Sequence, residues 1–264
     1  MLRRTAVLLA AMASSMPALA QSPVLDRILK NGEIRVATSG TQPPFNAVSR
    51  DGQLMGLEVD LARLLAEQMN VNLMLTSMPF PELLPALRDG KVDMVLSGIS
   101  ITPERSREFA FVGPYVLSGK SLLTDSRTLT TMKTPRDLDR PDLTLVALEN
   151  STSESYVRRV APKAKLVATK DYDSAVQMVM KREAAALIAD MPVCILAVLR
   201  NPNADLATRS TPLSVEPVAI VVPANDLRFQ NLVDQLLGTV ERTGILEELR
   251  KKWLEGTDWV QALP

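Results

Sequence analysis

The segment Ser97-Gly98-Ile99-Ser100-Ile101-Thr102-Pro103-Glu104-Arg105 follows a short apolar run, Val92 to Leu96, and gathers the residue types that hold an anion. Thr102 reads as an N-cap and Pro103 suits the first helical position, so a helix starts here. Its free amides face the C-terminal end of the preceding strand. Such a helix start accepts a carboxylate or phosphate. Arg105, three residues into that helix, is a cation on the unfavourable end of the helix dipole. That placement makes sense if it shares an anion with the Ser97 and Ser100 hydroxyls and the Gly98 backbone. A surface arginine beside an ordinary cap is the alternative, and spacing leaves both open.

Asn150-Ser151-Thr152-Ser153-Glu154 repeats this logic after the apolar run Leu143 to Leu148, although Ser and Thr at a helix start also serve simply as caps. Asp190 ends the apolar run Ala184 to Ala189, at the strand edge where open α/β sheets place ligands. A carboxylate there is suited to a cation, or to capping the next helix. Phe45, after two prolines, and Phe80, in Met78-Pro79-Phe80-Pro81, are loop aromatics that either wall a pocket or plug a core. Cys194 lies among Val193, Ile195 and Leu196 and reads as a small buried hydrophobe.

The elements that must position these groups alternate along the chain. Short β-branched runs at Glu33 to Thr38, Val92 to Leu96, Leu143 to Leu148, Ala186 to Ala189 and Val218 to Val222 read as strands. Between them lie helical patterns: Leu57 to Met69, Pro81 to Arg88 ending at Asp89-Gly90, and a stretch from about Asp173. A C-terminal stripe from Phe229 to Val240 is capped at Asn225 or Asp226, and a last helix follows Gly244. This is an α/β pattern. Polar stretches lie at 117–120, 125–141 and 201–212, and two of them suit adjacent crossovers, by which the chain leaves one lobe, builds a second and returns.

Composition removes most catalytic chemistry. The chain has 264 residues, no His and one Cys, so Ser-His-Asp and Cys-His pairs, His-bearing or four-cysteine zinc sites, iron–sulfur clusters and an internal disulfide are excluded. No metal or cofactor is expected. Arg3 and Arg4 before the apolar run Ala6 to Ala13, with Ala18-Leu19-Ala20 ahead of Gln21, read as a secretory signal peptide over residues 1–20. Its removal changes 30 Lys plus Arg against 30 Asp plus Glu to 28 against 30, a net charge near −2. Without clustered cations, a nucleic-acid partner is not expected.

Several of these segments together resemble the family-3 bacterial extracellular solute-binding proteins. The resemblance rests on Gly32-Glu33-Ile34-Arg35-Val36 with Pro44-Phe45, Gly56 to Ala62, Leu84-Pro85-Ala86-Leu87, Gly90-Lys91-Val92-Asp93, Ser100 to Arg105, Pro114-Tyr115, Thr243-Gly244 and Lys252-Trp253. It implies a type II periplasmic binding protein fold of two α/β lobes, each a mixed sheet flanked by helices, joined by two hinge strands. The expected division is 21–118 plus 217–264 for lobe 1 and 119–216 for lobe 2. The resemblance also implies a monomeric periplasmic receptor that captures a small amino acid or close analogue and hands it to an inner-membrane ABC permease.

By the same resemblance Arg105 clamps the ligand α-carboxylate, with Ser100, Gly98 and Ser97 beside it. Thr152 and Ser151 donate from the second lobe, and Asp190 accepts the α-ammonium. Phe80 covers the ligand side chain and Phe45 lies near the pocket mouth. Receptors for cationic amino acids often carry an acid where Ser39 stands and an aromatic where Gln42 stands, so this sequence departs from the cationic pattern near Ser39. Asn150 replaces a usual Gly, and Glu216 is a further acid at the return crossover. An exported cyclohexadienyl dehydratase on the same fold is the enzyme alternative. Its general acid follows the second-lobe aspartate, whereas Met191 to Arg200 contains no acid, so no enzymatic activity is expected.

Overall fold

The computed structural model describes residues 22–132 and 134–264, so the expected signal peptide lies outside the described residues. Its strands in chain order are β1 (Glu33–Thr38), β2 (Thr41–Gln42), β3 (Asn46–Val48), β4 (Leu54–Met55), β5 (Asn72–Ser77), β6 (Met94–Val95), β7 (Phe109–Ser118), β8 (Lys120–Asp125), β9 (Thr144–Leu148), β10 (Lys165–Thr169), β11 (Ala186–Asp190), β12 (Leu206–Thr208) and β13 (Glu216–Pro223). The α-helices are α1 (Pro23–Asn31), α2 (Leu57–Gln68), α3 (Phe80–Arg88), α4 (Pro103–Ser106), α5 (Ser126–Thr131), α6 (Thr152–Val160), α7 (Tyr172–Met180), α8 (Met191–Arg200), α9 (Leu227–Arg242) and α10 (Ile245–Arg250).

Two five-stranded mixed sheets result, ordered β5-β1-β6-β13-β7 and β10-β9-β11-β8-β12. In each, three strands pair in parallel and the last two are joined by antiparallel pairings, so that only the fourth strand runs against the others. The two sheets therefore share an arrangement that no sequence repeat announces. The first sheet buries Ile34, Val36, Val218, Ile220 and Val222 against Leu57, Leu61 and Leu65 of α2 and Phe229 and Val233 of α9. The apolar residues of α2 and α9 recur at three- and four-residue spacing, so each helix turns one stripe inward.

The crossovers run side by side. β7 ends at Ser118, opposite Glu216 of β13, and β8 begins two residues later. Gly119 stands between them because the chains approach too closely for a side chain: a Cβ there would sit 1.9 Å from the Ser214 carbonyl oxygen. The Lys120 amide donates to Ser214 Oγ at 3.0 Å, and the Leu213 amide donates to the Lys120 carbonyl at 2.6 Å, which fixes where β8 starts.

Asp226 ties the two ends of lobe 1 together. Its buried carboxylate accepts from the Phe229 amide at the start of α9, from the Val24 and Leu25 amides at the start of α1, and from Ser22 Oγ. Burial alone would raise its pKa, but these hydrogen bonds outweigh burial and hold it below the ordinary Asp value. Asp226→Ala leaves several buried donors unpaired and is expected to cost about 3 kcal/mol, roughly a 6–12 °C fall in Tm. Because the folded pKa is depressed, this contribution is present above the unfolded value of about 4 and is lost as pH falls through the folded one. Calorimetry of wild type and variant against pH checks both: the difference in Tm is expected to shrink toward acid.

Candidate functional site

The closed face between the lobes carries polar side chains from both sheets. Thr102 caps α4 as its sequence suggests, its hydroxyl accepting from the Arg105 amide at 3.3 Å. The Arg105 guanidinium turns back to the lobe boundary, where Nη1 donates to the Ser100 carbonyl at 3.0 Å and Nη2 to the Asn150 carbonyl at 3.3 Å. Both acceptors are neutral, so the cation is held in place without being neutralised by direct contact. Burial pushes its pKa down, and the nearby negative charges of Glu216 and Asp190 push it back up. Arginine remains charged under such a shift.

A groove of about 630 Å³ opens beside it, lined by Ser100, Arg105, Ser151, Thr152, Arg159 and Glu216 among others. Ser151 caps α6, its hydroxyl accepting from the Glu154 amide. Asn150 adopts φ +56°, a left-handed conformation that Asn tolerates better than most residues. Ser100 Oγ and Thr152 Oγ1 each donate to Glu216 Oε2 at 2.8 Å and lie 3.5 Å from each other. Burial raises the Glu216 pKa, but Lys120 and these hydroxyls outweigh it and leave the group below the ordinary Glu value. Glu216, on the hinge strand, therefore ties the two lobes.

Asp190 ends β11 and is buried. Its Oδ1 lies 2.7 Å from Lys120 Nζ, and its Oδ2 accepts from Gln42 Nε2 at 3.2 Å. Burial raises its pKa, with Lys120 opposing. Lys120 is 1% exposed and lies 3.0 Å from Glu216 Oε2 as well, so one ammonium bridges two carboxylates. Sequence reasoning passed over this lysine, which stands at the end of a polar stretch. The signal is in the strand register: β8 and β11 pair antiparallel with Lys120 directly opposite Asp190.

Gly98 lies at φ +59°, and a Cβ there would sit 2.2 Å from Gln42 Nε2. Glycine therefore lets the Gln42 amide cross to Asp190. Beneath it, the Glu58 carboxylate accepts from the Gly98 amide at 2.5 Å, from Asn46 Nδ2 at 2.6 Å and from the Tyr115 hydroxyl. Burial raises the Glu58 pKa against these hydrogen bonds. This buried network fixes the floor of lobe 1, and sequence reasoning did not assign it.

Other expected residues stand apart from the groove. Ser39 and Ser97 turn into the Asn46 network: Ser39 Oγ donates to Asn46 Oδ1 at 2.8 Å, and Ser97 Oγ accepts from the Ser39 amide at 3.0 Å. Phe45 is not near the mouth; it is wholly buried in the lobe 1 core, because the Leu57 and Glu58 amides donate to the Pro44 and Phe45 carbonyls and draw that segment onto α2. Phe80 begins α3 rather than lying in a loop, and it joins the apolar cluster that contains Val95 of lobe 1 and Tyr172 and Val193 of lobe 2. Burial pushes the Cys194 thiol up to about 12, so it is unreactive. Among the described residues no group of three or more His, Cys, Asp or Glu could hold a metal, and no helix is long and apolar enough to cross a membrane.

Comparison with known proteins agrees with this architecture. Cyclohexadienyl dehydratase of Pseudomonas aeruginosa is 30% identical over 236 residues, 89% of this chain and 88% of that protein. ABC transporter arginine-binding protein 1 of Escherichia coli is 25% identical over 84% of this chain and 90% of its own length. A binding component of an ABC transporter from Wolinella succinogenes, solved in complex with lysine, superposes with a TM-score of 0.83 at 32% identity, covering 87% of this chain and 99% of that one. The model of the bacterial extracellular solute-binding proteins, family 3, matches residues 34–256, and the chain belongs to that family.

Proposed function

We propose that the chain is an exported, monomeric receptor that captures a small amino acid or close analogue between lobes 21–118 plus 217–264 and 119–216. It delivers that solute to an inner-membrane ABC importer without transforming it. The observation that carries the reading is Arg105, half-buried at the groove with its guanidinium held only by two carbonyl oxygens, a geometry that positions the fork and leaves its charge for a ligand carboxylate. Ser100 and Thr152 line the same groove, their hydroxyls donating to Glu216, so a ligand that draws on them must compete with that carboxylate. Gln42, Ser100, Arg105 and Glu216 all make contacts with the second lobe that a hinge opening would break, to Asp190, Thr152, Asn150 and Thr152 respectively, so a ligand able to replace them favours closure.

A panel of the twenty amino acids and their 2-oxo and 2-hydroxy analogues tests the proposal by thermal shift. At a hundredfold excess over Kd a true ligand adds about 2.7 kcal/mol, or roughly 5–10 °C in Tm. No shift with any compound would remove the receptor reading.

The similarity to a dehydratase favours one second reading, catalysis on the same fold. Helix α8 carries no acid between Met191 and Arg200, so a proton donor would have to come from Asp190, Glu216 or Lys120. Incubation with arogenate or prephenate decides it: formation of phenylalanine or phenylpyruvate establishes the enzyme, and unchanged substrate supports the receptor.

A further inference from the structure

On the buried side of Glu216, which lines the groove, an ammonium is already in place, and it belongs to the protein. Lys120 Nζ lies 2.7 Å from Asp190 Oδ1 and 3.0 Å from Glu216 Oε2, on a side chain that is 1% exposed. The other Asp190 oxygen accepts from Gln42 Nε2 at 3.2 Å. Both oxygens of the acid expected to receive a ligand ammonium are therefore engaged by the protein's own donors. The arrangement is built into the backbone: Lys120 faces Asp190 in the antiparallel register, and its own amide and carbonyl are pinned by Ser214 and Leu213 at the crossover.

An α-amino acid bringing its own ammonium would have to push Lys120 off Asp190. That would set two cations side by side and leave the lysine with Glu216 alone, a costly arrangement in a water-poor site. A ligand with oxygen at that carbon meets no such conflict. An ammonium has three donors, and two of them on Lys120 are used by Asp190 and Glu216; the third suits an acceptor. The subsite thus presents a donor where an amino-acid receptor presents an acceptor.

We propose that Lys120 sets the specificity of this site for small carboxylates that carry oxygen rather than a free ammonium at C2, namely 2-oxo and 2-hydroxy acids. The ligand carboxylate would lie on Arg105 and its C2 oxygen would accept from Lys120. This rests on the receptor reading above and narrows its ligand class.

Matched pairs measured by isothermal titration of the mature protein test it: pyruvate and alanine, 4-methyl-2-oxopentanoate and leucine, phenylpyruvate and phenylalanine, 2-oxoglutarate and glutamate. The expected result is that, in at least one pair, the 2-oxo acid binds at least tenfold tighter than its amino acid. Lys120→Met, which frees Asp190, is expected to reverse that order, and Lys120→Gln, which keeps a neutral donor, to reduce the preference without reversing it. Either variant suffices where the other does not fold, as circular dichroism will tell. Tighter binding of the amino acid in every binding pair of the wild type overturns the inference while leaving the receptor reading intact. An unchanged order in the folded variants overturns the role of Lys120. Binding of neither series removes the receptor reading, and the inference with it.

Discussion

Arg105→Ala is expected to abolish ligand-induced stabilisation while leaving the fold intact. The guanidinium contributes nothing to the hydrophobic core, and its two hydrogen bonds go to carbonyl oxygens on opposite lobes. Removing a partly buried cation that no acid contacts directly also relieves a desolvation cost, visible in its lowered pKa. Unliganded Tm is therefore expected to move by no more than about 2 °C, in keeping with the loss of one or two modest hydrogen bonds. Binding is different. Truncating one member of a buried charge pair costs about 2–5 kcal/mol, which at 3 kcal/mol is already more than a hundredfold in Kd. Arg105→Lys keeps the charge but loses the planar fork, and an intermediate loss of about tenfold is expected. Titration calorimetry on the ligand found in the panel checks both, and retention of wild-type Kd within threefold in Arg105→Ala would place the carboxylate elsewhere.

Arg105 also marks how far local sequence reaches. Thr102, Pro103 and Arg105 are neighbours, so capping rules alone place the start of α4 and put the arginine in its first turn. The bounds of β1, the starts of α2 and α6 and the end of β11 were legible for the same reason, since each depends on residues within one or two turns or strands. Long-range partners were not. Lys120 looks like the end of a polar stretch until β8 is laid antiparallel to β11 across a separation of 70 residues, and only then does it meet Asp190. Glu58 reads as an ordinary acid in the first turn of α2, favourable to the helix dipole. It is buried because that turn abuts Gly98, Tyr115 and Asn46, none of them close in sequence except Asn46. Phe45 misled for a related reason: its flanking prolines signal a loop, while the approach of Gly56 to its carbonyl draws it inward. A Cβ on Gly56 would sit 2.3 Å from that oxygen.

The buried pair that sequence did not reveal leads to a second large expected change in stability. Asp190→Asn leaves Lys120 in the interior with Glu216 as its only carboxylate partner, and an unfolding cost of about 2–4 kcal/mol is expected, or roughly 5–15 °C in Tm. Lys120→Met is expected to behave differently with pH. It removes the cation that most opposes the burial-raised pKa of Asp190, so the acid keeps Gln42 as its hydrogen-bond donor, with Glu216 and Arg105 acting at longer range, and its folded pKa rises further. A folded pKa above the unfolded value means that the native state holds the proton more tightly, so stability falls as pH rises through that window. The deficit of Lys120→Met relative to wild type should therefore be small near pH 4 and grow toward pH 8, whereas Asp190→Asn has no proton to take up at that site and shows no such relief. Replacing both residues together, as Lys120→Met with Asp190→Leu, removes the fully buried pair, leaves Glu216 to its Ser100 and Thr152 donors, and is expected to restore most of the lost stability, because well-packed apolar residues can match a buried ion pair. Denaturant titration of the wild type, Lys120→Met, Asp190→Leu and the double variant gives the coupling directly. An interaction energy of about 2 kcal/mol or more is expected for side chains in such contact, and additivity within about 0.5 kcal/mol would mean that Glu216 alone, not Asp190, neutralises the lysine.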